Sequence, residues 1–82
     1  MIKMIGKIIN EWDPIELFPL APDDEYIREI EIIEKIVQNN SGISSNDLAY
    51  EIYHLFLERF GSEVFLCDIE DCLKIAMKIM GI

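Results

Sequence analysis

Cysteine occurs twice in this chain, histidine once and tryptophan once, and lysine and arginine together number seven against sixteen acids. Each shortage removes a class of function. Two cysteines, Cys67 and Cys72, are too few for a disulfide framework, and a C-x4-C pair beside the lone His54 matches no zinc-ligand pattern. Four glycines, scattered, make no phosphate-cradling loop. The longest uncharged apolar run falls far short of the roughly 18 residues a membrane span needs. Lys3 and Lys7 interrupt the N-terminal apolar stretch where a secretory leader would carry its hydrophobic core. The expected compartment is therefore the cytoplasm, which also suits free thiols.

What is present is apolar material and acid. Of 82 residues 51% are hydrophobic, and the mean hydropathy is +0.20, enough for a core despite a net charge of −9. A chain of this length makes one domain, residues 1–82, because a second would fall below the size at which a core sustains itself. The acidity is local. Residues 11–34 carry nine acids against Arg28 alone, a net of −8, whereas the rest of the chain is nearly balanced. Such a surface repels nucleic acid and anionic lipid and attracts a basic protein.

The apolar spacing is helical throughout, with no internal repeat. Ile2, Met4 or Ile5, Ile8, Ile9 and Trp12 recur at three and four and predict a first helix over residues 2–12. A second long helix is expected from Pro22 or Asp23 to about Asn39, with Tyr26, Ile30, Ile33 and Val37 inward and Asp24–Arg28 and Glu31–Lys35 as outward pairs. Ile27 and Ile32 widen its apolar arc beyond one face. Ser44 as N-cap, Asp47 at N3 and an Ile43–Leu48 staple open a third helix, which ends at Phe60-Gly61. The stretch SEVFLCD reads as a loop, since one isolated strand has no partner. Asp68 then caps a fourth helix over Ile69–Met80, closed by Gly81, with Ile69, Cys72, Leu73, Ala76, Ile79 and Met80 inward and Lys74 and Lys78 outward. The expected architecture is an all-α, compact antiparallel bundle of about four helices.

All three prolines fall in EWDPIELFPLAPDDEY, residues 11–26. Within it D-P-x-E reads as Asp13 N-cap, Pro14 at N1 and Glu16 at N3 of a single turn over Pro14–Phe18 that Pro19 breaks. The prolines thus predict an elbow between the first and second long helices, and Trp12 is expected to pack beneath it. EWDPIEL, followed by APDDEY and EI, resembles the YugE-like family of small bacterial proteins of unknown function, and AYEIYHLF and FG extend the likeness along the chain. The resemblance implies an all-helical, cytoplasmic bacterial protein and carries over no catalytic residue.

Candidate sites are few. Asp23, Asp24, Glu25 and Glu29 are acids of the kind a hard cation needs, but successive helical residues diverge by about 100°, so only Glu25 and Glu29 share a face. They are expected to serve the helix start and a solvated face. His54, between Glu51 and Glu58 on a wet face, has no serine or cysteine nucleophile at a connectable spacing. No catalytic residue, cofactor or metal is therefore expected. The reading that follows is a non-enzymatic interaction protein that presents Asp13, Glu16, Asp23, Asp24, Glu25 and Glu29 to a basic partner, as an inhibitor or toxin-immunity protein does. Two alternatives stand beside it. One is a self-associating structural protein with a homodimer seam of Ile27, Ile32, Ile75 and Met77, and the other is a small carboxylate-dependent enzyme.

Overall fold

A computed structural model describes residues 2–15, 26–40 and 42–81. Four helices, α1 (Ile2–Trp12), α2 (Ile27–Asn39), α3 (Ser45–Phe60) and α4 (Ile69–Met80), make an all-α bundle, with no strand among the described residues. None of these helices is long and apolar enough to cross a membrane. The expected second-helix start at Pro22 or Asp23, and all but the first residues of the Pro14–Phe18 turn, lie outside the described residues.

The helices close into a ring in which α1 packs on α2 and α4, α2 on α3, and α3 on α4. Their inward faces follow the spacing of the apolar residues. Ile5 and Ile9 of α1, Ile30 and Ile33 of α2, Leu48, Ala49, Ile52 and Phe56 of α3, and Cys72, Ile75 and Ala76 of α4 are all buried, joined by Tyr26 and Phe65. The centre is aromatic. Phe56 stacks on Phe65 at 5.6 Å and on Phe60 at 5.9 Å, while Trp12 and Tyr26 meet its ring edge-on at 5.5 and 6.0 Å. Half-buried Trp12 therefore reaches across the ring from α1 to α3, packing against the core as its periodicity predicts.

The caps form where the sequence placed them. Ser44 Oγ accepts from the Asp47 amide at 3.1 Å, and Ile43 packs against the core cluster to which buried Leu48 belongs. Asp68 and Asp71 satisfy each other's amides reciprocally at 3.0 and 3.2 Å, a complete capping box. Gly61, at φ +85°, ends α3 with its amide on the Leu57 carbonyl, in a backbone conformation that an L side chain would strain.

Two expectations about α4 are corrected. Ile69 and Met80, expected inward, are exposed, while Ile75, expected at a dimer seam, is buried. The inward arc is centred on Cys72, Ile75 and Ala76, which moves the two end residues to its rim and removes Ile75 from any surface. The ion pair among the described residues is Arg59–Glu29, not Glu31–Lys35.

Candidate functional site

Of the six acids expected to meet a partner, Asp13 and Glu29 fall within the described residues. Glu16, Asp23, Asp24 and Glu25 lie outside the described residues. The turn that Asp13 is expected to cap lies, beyond Ile15, outside the described residues, and Asp13 itself closes α1. Its amide donates to the Ile9 carbonyl at 2.9 Å and its φ is +45°, so it ends α1 as the left-handed residue after the C-cap, with Pro14 barring further helix. Its half-buried carboxylate accepts from the Tyr26 hydroxyl at 2.6 Å, and the same hydroxyl takes a long bond of 3.4 Å from the Ile15 amide. The two ends of the elbow are tied together by one buried tyrosine.

Glu29, expected on the acidic face, is 1% exposed. It stands three residues after Tyr26 and four before Ile33, on the buried face of α2, so helical geometry carries it inward whatever its charge. Arg59 of α3 brings its Nε to 3.3 Å from Glu29 Oε2, with the arginine side chain 51% exposed and its guanidinium 5.1 Å from the Phe60 ring centre. Neither carboxylate oxygen has a hydrogen-bond partner. The contact thus supplies opposite charge without a well-directed hydrogen bond, and Glu29 is a core residue rather than a docking residue.

A different surface has the attributes of a site. Between Gly61 and Asp68 the chain is irregular; Phe65 turns inward onto Phe56, and its neighbours Val64 and Leu66 point out, 49% and 79% exposed. Across from them lies the end of α1. Trp12, Pro14 and Ile15 on one side, and Val64, Leu66 and the first turn of α4 at Asp71 on the other, enclose a groove of about 350 Å³. Cys67 Sγ points to the Pro14 carbonyl at 3.8 Å, linking its two walls. Asp13 and Asp71 are the acids that line the groove, and the Gly61–Leu73 interval also carries exposed Glu63, Asp68 and Glu70, with no lysine or arginine. Apolar periodicity does not point to this groove, because an irregular loop has no period. The available signal was three consecutive apolar residues, Val64, Phe65 and Leu66, in a loop that can bury only some of them.

The remaining chemistry is muted. Burial, aided by Cys67 and the carboxylates of Asp71 and Asp68, pushes the Cys72 thiol up to about 12, so it stays protonated and unreactive at neutral pH. His54 is half-buried, its ring 4.3 Å from exposed Tyr50 and 5.6 Å from Tyr53. A second, wider concavity of about 460 Å³ at the α2–α3 turn is bordered by Asp47, Tyr50 and Glu51. Among the described residues no three His, Cys, Asp or Glu side chains converge as a metal site. No protein-family model, curated protein or solved structure matches the chain.

Proposed function

We propose that this protein is a non-enzymatic binding module that presents an acidic surface to a basic protein, as an inhibitor or a toxin-immunity protein does. The observation that supports this reading is the Gly61–Leu73 interval, where four acids stand without a base beside two exposed apolar side chains. Carboxylates around such a surface accelerate encounter with a positively charged partner and repel nucleic acid. The nine acids of residues 11–34 add to the net negative charge of the chain.

The test is affinity capture with the full chain, followed by titration of each captured and purified protein over a salt series. A partner of basic isoelectric point is expected, with an association rate that falls steeply as salt rises. Glu63→Gln with Glu70→Gln, both exposed and neither a cap, should flatten that dependence. Partners of acidic isoelectric point, bound with a flat salt response, would remove the acidic surface from the account.

A further inference from the structure

We infer that the groove between the α1 end and the α3–α4 connection docks a segment of a basic partner protein that inserts an apolar side chain flanked by lysine or arginine. This deepens the acidic-module reading and rests on it. Three features of the groove select that occupant.

The first is Leu66. At 79% exposure it stands at the lip of the groove it helps to line, with most of its surface open to water. Only an opposing macromolecular surface covers such a side chain, and burying it removes apolar area at about 25 cal/mol per Å². The second is the groove itself. A volume of about 350 Å³ lies at the small end of the ~300–1,000 Å³ typical of ligand pockets and accommodates individual side chains from an opposing segment. Trp12, with its indole edge against Phe56 and Phe65 at 5.5 and 6.2 Å, gives that groove a rigid aromatic wall, the residue type over-represented among binding hot spots. The third is charge. The groove's charged lining is the carboxylates of Asp13 and Asp71, and exposed Glu63, Asp68 and Glu70 belong to the same Gly61–Leu73 interval as Asp71, which carries no lysine or arginine, so the charge beside the apolar centre has one sign. A nucleic acid or an anionic membrane meets the same rim as repulsion.

Because Trp12 is the sole tryptophan, its emission reports occupancy of this groove directly. The probe is a tryptophan-free synthetic peptide with leucines on one helical face and lysines on the other. Two matched peptides accompany it, one with glutamate for lysine and one with alanine for leucine. The Leu/Lys peptide is expected to bind and shift the Trp12 emission, and Leu66→Ser with Val64→Ser should weaken it at least about tenfold, as loss of interface anchors does. Both substitutions fall at exposed loop positions, and circular dichroism confirms that each variant is folded. Binding of the Leu/Lys peptide with unchanged Trp12 emission and no loss in the double variant overturns the groove and leaves the acidic-module reading standing. Equal binding of the Leu/Glu peptide overturns the charge selection and that reading with it. Absence of Leu/Lys binding at low salt overturns the groove. Sedimentation that finds a dimer dissociated by Leu66→Ser assigns the groove to a second copy of this chain and overturns the basic occupant.

Discussion

Glu29 shows how a helix decides burial before charge does. The position lies on the inward face of α2, and the backbone has no means of excusing one residue from it. A buried carboxylate without hydrogen bonds tolerates that location only through the nearby Arg59 charge, so the two ends of the pair are unequal. Arg59→Ala leaves the carboxylate inside the core without a countercharge and should lower stability by about 1–3 kcal/mol. Glu29→Met fills a similar volume without a charge to desolvate and should be neutral or stabilising, as replacement of buried ion pairs by apolar groups often is. Urea unfolding of both variants checks the order, and a Glu29→Met protein less stable than Arg59→Ala refutes it. Cys72 makes a second case at this scale. Its thiol ionises at about 12 in the fold instead of the ordinary 9.0, so the unfolded chain loses that proton first as pH rises. The contribution is intact below pH 9 and should be lost on the way to pH 12 by about 1.4 kcal/mol per pH unit. Cys72→Ala should remove that part of the alkaline decline; equal slopes for parent and variant through this window count against the protonated, buried thiol.

The elements were legible where a local rule had one reading. Ser44, Asp68, Gly61 and Gly81 punctuate α3 and α4 where their chemistry requires, because a cap depends on three or four neighbouring residues and nothing distant. The elbow was legible in outline only. Asp13 ends α1 where the step into Pro14 predicts a stop, while its bond from the Tyr26 hydroxyl lies outside any local pattern. Leu66 and Val64 were unreadable for a related reason: which of three loop residues enters the core depends on where Phe56 stands. At this scale Ser44→Ala should cost about 0.5–2 kcal/mol through the lost bond to the Asp47 amide. Asp68→Ala breaks one of the two bonds of its capping box, since the amide at position 68 keeps its acceptor on Asp71, and its cost should fall in the same range. Denaturant midpoints at constant slope report both, and a change below about 0.3 kcal/mol for Ser44→Ala would place the start of α3 elsewhere.

For the whole molecule the organising side chain is Phe56. Rings from α1, from the head of α2, from the end of α3 and from the α3–α4 connection all reach it, so one residue joins three helices and the connection to the fourth. Its place in the core was readable from helical spacing; its central role was not, because spacing identifies a face and not a meeting point. Phe56→Ala should cost about 3–5 kcal/mol, a large share of the ~5–15 kcal/mol that holds a domain together. A melting temperature within about 4 °C of the parent would show that the aromatic cluster repacks around the loss.

The closed ring has a consequence in time. Helices α3 and α4 are joined by a short connection, whereas α1 must find α4 across most of the chain, and the entropy of closing a loop rises with its length. The α3–α4 pair is therefore expected to assemble in the folding transition state, with α1 docking afterwards. Stopped-flow kinetics separates the two stages. Ala76→Gly, on the buried face of α4, should mainly slow refolding, and Ile9→Ala, on the buried face of α1, should mainly accelerate unfolding. The reverse assignment would mean that the N-terminal helix nucleates the fold. If the order holds, the Trp12 wall of the groove is the last part of the surface to arrive, so a partner that needs it recognises only chains that have finished folding.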